Sequence, residues 1–190
     1  MSGAVILING YPGVGKSTVA RELAKLLPNS QLVDSDALHR IASSIHPPTA
    51  RQYNPLVDSL RQTLLDSLDS SADQVDKQIY LFSETNFSPN QYTTLSPTLL
   101  FVHIILSASQ GVNTARIEQK GGDADSLMEL RMEEEIPHLF EQRGVNGEYE
   151  IDTSALDAEA IAGAVGEFVL DVLRNEGWWI QLNRVKVARP

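Results

Sequence analysis

The chain has 190 residues, 42% of them hydrophobic and 21% charged, a balance that suits one folded domain with a real core and excludes a disordered chain. Its formal charge of −10 disfavours a nucleic-acid partner, because a phosphate polymer is repelled unless basic residues cluster locally. The absence of cysteine excludes disulfides, thiolate catalysis and cysteine-bound zinc and fits a reducing, cytoplasmic setting, while no apolar run reaches the roughly 20 residues of a membrane span.

Taken in chain order, the apolar run 4–9, AVILIN, reads as a buried strand. It leads into the glycine-rich stretch GYPGVGKS at 10–17 and then STVARELAKLL, whose Val19, Ala20, Leu23, Leu26 and Leu27 form one stripe of an amphipathic helix ended by Pro28 and Asn29. Further strands are expected at 31–33, 78–83, 99–106 and 149–152, and helices at 36–44, 55–70, 113–120, 126–142 and 157–174, with HPPTARQYNP at 46–55 a proline-broken loop. The alternation predicts an α/β fold: a three-layer αβα sandwich with a five-stranded parallel sheet, built as a single domain over 1–190. Ligands of such sheets bind at the carboxyl ends of the strands, so the residues just after each strand are the first candidates for function.

GYPGVGKS fits G-x-x-x-x-G-K-[ST] without a departure and lies between a predicted strand and a predicted helix. Gly10, Gly13 and Gly15 let successive N–H groups turn inward around phosphate oxygens, and the helix that follows presents its positive end to the same anion. Lys16 adds a mobile charge for the β- and γ-phosphates, and the Ser17 hydroxyl can ligate Mg²⁺. Tyr11, Pro12, Val14 and Thr18 complete the loop, which is expected to hold a nucleoside triphosphate. The pattern specifies nucleotide and metal and not the reaction.

With this loop in view, LINGYPGVGKSTVARELAKLL and QLVDSDAL resemble the opening and the second strand of the P-loop small-molecule kinases, the group of adenylate, shikimate and gluconate kinases and the chloramphenicol phosphotransferase. VNTARIEQKGGDADSLMELR is similar, more loosely, to their lid, here at about 112–131, and EYEIDTSALDAEAIAGAV to their last strand, adenine-side loop and closing helix. The resemblance implies ATP and Mg²⁺ as cofactors and γ-phosphate transfer to a small soluble acceptor. The third strand lacks the aspartate that would end a Walker B motif, and the lid holds few arginines.

Asp34 and Asp36 leave the second strand beside the loop, and their spacing suits one carboxylate near a metal-bound water and one near substrate. The resemblance implies Asp36 as the group that orients or deprotonates the acceptor and Asp34 as the magnesium-side carboxylate; the reverse order is an alternative, and so is Asp36 as a simple helix cap. Arg116 and Arg131, with Lys120 as a third candidate, flank the GGDAD segment, which reads as a hinge, and are expected to neutralise charge on the transferring group unless they merely solvate helix surfaces. Glu84, Arg51 and Tyr53 are weaker candidates for acceptor contact. Thr153 and Ser154 are expected, from the resemblance, to meet adenine through backbone groups, so that side-chain identity there says little. His39, His46, His103 and His138 lack metal-ligand spacing, and His103, inside a strand, is expected to be a satisfied core residue.

The expected activity is an ATP- and Mg²⁺-dependent phosphotransferase. The alternatives are a nucleoside monophosphate kinase, or a nucleotide-binding protein with weak NTPase activity and no small-molecule acceptor. The tail GWWIQLNRVKVARP is either ordinary packing or an edge through which a homodimer would form.

Overall fold

The computed structural model describes residues 3–70, 78–83, 99–121 and 147–177. Five strands, β1 (Gly3–Gly10), β2 (Ser30–Val33), β3 (Gln78–Ser83), β4 (Leu99–Ser107) and β5 (Glu148–Asp152), form one sheet in the order β2-β3-β1-β4-β5. All four pairings are parallel, as the alternation predicts, with Ile6 of β1 level with Leu81 of β3 and Val102 of β4. Every residue of β1 is buried, which is why its sequence is a continuous apolar run and not an alternating one: a central parallel strand is covered on both faces.

The helices are α1 (Lys16–Leu26), α2 (Asp36–Ile45), α3 (Tyr53–Ser70), α4 (Gln110–Gln119) and α5 (Ala158–Asn175). Alternate residues of β1 serve different layers. Ala4, Ile6 and Ile8 join the core that α1 and α5 build with Val19, Leu23, Val165 and Val169, whereas Val5 and Leu7 join the smaller core of Leu65, Tyr80 and Phe82 beneath α3. A third cluster, Ala42, Tyr53 and Val57, fastens α2 to α3.

Helix starts differ from expectation for local reasons. α4 begins one turn before residue 113, after Ser109 in extended conformation; Gly111 and the polar residues around it carry no apolar stripe by which the first turn could be read. α3 begins at Tyr53, so that Pro55 lies in the first turn, where its missing N–H costs nothing. Asp157 is the N-cap of α5 and not its first residue, its Oδ1 accepting from Ala160 N at 2.8 Å. At the end of α1, Leu27 is extended at φ −87°, ψ 118°, the conformation that Pro28 imposes on its predecessor. The helix expected at 126–142, the greater part of the lid and the tail from 178 onward lie outside the described residues, as do Glu84, Arg131 and His138. Among the described residues no helix is long and apolar enough to cross a membrane.

Candidate active site

The loop between β1 and α1 emerges from the carboxyl end of the central strand, and its shape depends on missing side chains. Gly10 has φ +142°, and a Cβ there would meet the Leu106 carbonyl oxygen at 2.3 Å; Gly13 has φ +86°, and its Cβ would meet the Asn113 carbonyl oxygen at 2.7 Å. No other residue fits either position, so the chain can fold the loop tightly against β4 and α4. Tyr11 and Val14 are buried beneath it, Pro12 and Thr18 are half-buried, and Gly15 is the left-handed N-cap of α1. The first turn of α1 carries no acidic residue, which leaves its N–H groups and positive dipole end uncompensated. The Lys16 ammonium bridges the loop by donating to the carbonyls of Gly10 at 2.7 Å and Tyr11 at 2.9 Å.

Two clefts flank this loop. One, of about 180 Å³, is lined by Ser17, Arg21, Asp34, Asp36 and Ser83 among others, and so gathers the ends of β2 and β3 beside the start of α1. Asp34 and Asp36 are thus brought together with Ser17, as their position after β2 predicts. Arg40 donates to Asp34 Oδ2 at 2.6 Å, and that bond holds the Asp34 carboxyl below the usual carboxylate range and raises Arg40 in turn. Asp36 is the first residue of α2, and Ser35 occupies the N-cap, so Asp36 does not cap a helix beginning at residue 37. Arg21 and Ser83 belong to this cleft and escaped the reading of the sequence. A signal for Arg21 was present: it follows Ser17 by four residues, one helical turn, and its Nε donates to the Ser17 carbonyl at 3.1 Å.

The second cleft, of about 270 Å³, lies on the other side of the loop, among Gly15, Thr18, Arg116, Lys120, Leu156 and Ile161. Arg116 is anchored at Thr153, the residue after β5. Its Nη1 donates to Thr153 Oγ1 at 3.0 Å and its Nη2 to the Thr153 carbonyl at 2.8 Å. Thr153, wholly buried, donates from Oγ1 to the Val14 carbonyl at 3.1 Å and from its amide to the Ser107 carbonyl at 2.8 Å. The side chain of Thr153 therefore ties the loop, α4 and the end of β5 together, and its identity matters in a way that a purely backbone role does not capture. Ser154 accepts from the Ser109 amide at 2.8 Å and donates its own amide to Asp152 Oδ1 at 2.8 Å; hydrogen bonds from the Ser154 side chain and amide hold the Asp152 carboxyl low.

The remaining candidates sit elsewhere. Tyr53 is buried between α2 and α3, its hydroxyl hydrogen-bonded to His39 Nδ1 at 3.0 Å, and Arg51 is exposed in the preceding turn. Among the described residues no cluster of three histidine, aspartate or glutamate side chains is arranged to hold a metal ion.

Comparison with known proteins bears on the family and the fold. A family model described as an AAA domain matches residues 6–138, well over half of the chain. A gluconokinase of Arabidopsis thaliana is 25% identical over an alignment covering 91% of this chain and 96% of that protein. Among solved structures, a gluconokinase from Sinorhizobium meliloti 1021 superposes with a TM-score of 0.65 at 18% identity, covering 93% of this chain and 96% of that one. A shikimate kinase from Acinetobacter baumannii, in complex with shikimate, superposes with a TM-score of 0.62 at 20% identity, covering 89% and 94%. The chain belongs to the AAA-domain family and shares the fold of the gluconate and shikimate kinases it superposes on.

Proposed function

We propose that the enzyme transfers the γ-phosphate of ATP to a hydroxyl of a small soluble acceptor, with Mg²⁺ as counter-ion, in the cytoplasm where ATP is plentiful. The observation that carries this reading is the pair of clefts opening on one glycine-rich loop. A protein that only bound or slowly hydrolysed a nucleotide would have no need of the acidic cleft of Asp34 and Asp36 in addition to the cleft of Arg116. In this reading base and ribose occupy the cleft of Arg116 and Leu156, the phosphates lie over the N–H groups of residues 13–18, and the acceptor occupies the cleft of Asp34 and Asp36. Lys16, which already reaches across the loop, meets the β- and γ-phosphate oxygens.

The donor set suits Mg²⁺. The Ser17 hydroxyl and the Asp34 and Asp36 carboxylates supply hard oxygen atoms to one cleft, and Mg²⁺ takes few such ligands while retaining several waters. Ser17 would hold the ion directly and Asp34 through water; when bound, it offsets charge on the phosphate oxygens. Asp36 accepts the acceptor's proton as the hydroxyl oxygen attacks the γ-phosphorus and the bond to the bridging oxygen of ADP breaks. The bonds from Arg116 to Thr153 favour a role at the nucleoside, which leaves Lys120 and Arg131 as the candidates for charge on the transferring group.

Acceptors of the size and polarity of gluconate and shikimate, for which two relatives are named, are the first to test. ADP release from Mg-ATP is measured with and without each acceptor, with nucleoside monophosphates in the same panel. Release stimulated by a small polyhydroxylated acid supports the proposal, stimulation by a monophosphate favours the nucleotide-kinase alternative, and slow release indifferent to every acceptor favours the NTPase.

A further inference from the structure

The layer beneath α3 is apolar, with Val5, Leu7, Tyr80 and Phe82 at its centre, yet a row of polar groups crosses its edge. His103 of β4 lies level with Leu7 of β1 on one side and Glu148 of β5 on the other. Its Nδ1 is 3.5 Å from Glu148 Oε2, its Nε2 is 3.5 Å from Asn9 Nδ2, and its ring stacks on Phe101. Asn9 in turn accepts from the Gly10 amide, through Oδ1, at 2.9 Å. Asn9 and His103 are both wholly buried, and Glu148 is 20% exposed. Polar groups so deeply buried cost stability, and an apolar set of the same shape would be cheaper.

The donors and acceptors fix one another. The Gly10 N–H can only donate, so the oxygen of the Asn9 amide faces it and the NH₂ faces the imidazole. An NH₂ group can only donate, so the imidazole must offer its bare nitrogen there, Nε2. The ring proton then resides on Nδ1, facing the Glu148 carboxylate. Burial holds the imidazole neutral, with its proton affinity lowered to about 4, which keeps that bare nitrogen available at neutral pH. The row thus runs from an edge strand through the sheet to Gly10, the first residue of the phosphate loop.

We infer that His103, backed by Glu148, is a positioning residue for the phosphate loop: its bare Nε2 anchors the NH₂ end of the Asn9 amide, whose Oδ1 holds the Gly10 N–H from which the loop departs. The inference rests on the nucleotide reading of that loop and adds to it a residue on the far side of β1 that touches neither substrate. Without the imidazole the NH₂ end of the Asn9 amide loses this anchor, and its Oδ1 is held less firmly on the Gly10 N–H.

Nitrogen NMR of the full chain labelled at histidine tests the tautomer at neutral pH, with no nucleotide present. His103 should carry its proton on Nδ1 and show a bare Nε2; a proton on Nε2 overturns the inference. Amide hydrogen exchange at Gly10 should quicken at least tenfold in His103→Leu while Ile6 in the same strand is unchanged, and an unchanged Gly10 overturns it too. Should His103→Leu fail to fold, His103→Phe removes both ring nitrogens while keeping a ring stacked on Phe101 and gives the same readout. Finally, His103→Leu and Asn9→Ala should each weaken Mg-ATP binding about tenfold by calorimetry, and the double variant no further than the weaker single one; independent losses that multiply to about a hundredfold overturn the coupling. If the unaltered protein fails to bind Mg-ATP, the nucleotide reading falls while the two NMR measurements still decide the role of His103.

Discussion

Mild acidification should weaken the fold through His103, over a pH range in which the other perturbed groups among the described residues are silent. Burial holds this imidazole at about 4 against an ordinary 6.5, even with Glu148 3.5 Å away. Between those values the unfolded chain binds a proton that the folded chain refuses, so stability falls as the pH falls and is fully present only above 6.5. Each pH unit costs up to about 1.4 kcal/mol, which accumulates to roughly 3 kcal/mol by pH 4. For a domain of this size that corresponds to a fall in Tm of roughly 6–12 °C. Asp34 and Asp152, held below 3.8 by Arg40 and Ser154, contribute their own losses only at lower pH. Urea denaturation from pH 7.5 to 4.5, on the native chain and on His103→Leu, isolates the effect, because the carboxylates cancel in the difference. The native chain should lose about 2–3 kcal/mol relative to the variant across this window. Parallel curves would refute the reasoning, since they would mean that the imidazole is protonated in the fold or reached by water.

Gly13→Ala forces a Cβ to within 2.7 Å of the Asn113 carbonyl at φ +86°, at a cost of roughly 1–3 kcal/mol; Tm should drop by several degrees and calorimetry should find Mg-ATP binding abolished, whereas normal affinity would contradict the loop geometry. Thr153→Val preserves shape but removes the hydroxyl that joins Val14 to Arg116, two bonds of about 1 kcal/mol each. The nucleotide KM should rise about tenfold with kcat little changed, and Thr153→Ser should restore it; a fall in kcat alone would place Arg116 at the transferring phosphate after all. Asp36→Asn should lower kcat by about 10²- to 10⁴-fold at nearly constant KM, while Asp34→Asn should chiefly raise the Mg²⁺ concentration needed; the opposite outcome exchanges the two roles.

What could be read from the sequence is what depends on neighbours in the chain. The glycine-rich loop announced itself because an eight-residue pattern fell between an apolar run and an amphipathic stripe, and the left-handed angles at Gly10 and Gly13 are a local demand met by local residues. Asp34 and Asp36 were legible for the same reason, as the first side chains to leave β2. The sequence shows Arg116 only beside its chain neighbours, whereas its hydrogen-bond partner Thr153 is 37 positions away, and Asn9 and His103 are 94 positions apart. Neither pairing leaves a trace in periodicity or spacing, because each exists only once the sheet has its order.

That order, β2-β3-β1-β4-β5, accounts for the division of the site. Residues that leave β2 and β3 (Asp34, Asp36 and Ser83) fall on one side of the loop that leaves β1, and those that leave β4 and β5, with α4 between them, fall on the other. The acidic cleft and the cleft of Arg116 are therefore separated by topology before any side chain is chosen. The loop, with the first turn of α1 into which it leads, borders both, through Ser17 on the first side and Gly15 and Thr18 on the second. A displacement of its first residue would reach both clefts at once. In that position a costly buried row ending on the Gly10 amide has a physical use: the stability lost to desolvating Asn9 and His103 is exchanged for a fixed point of departure of the loop.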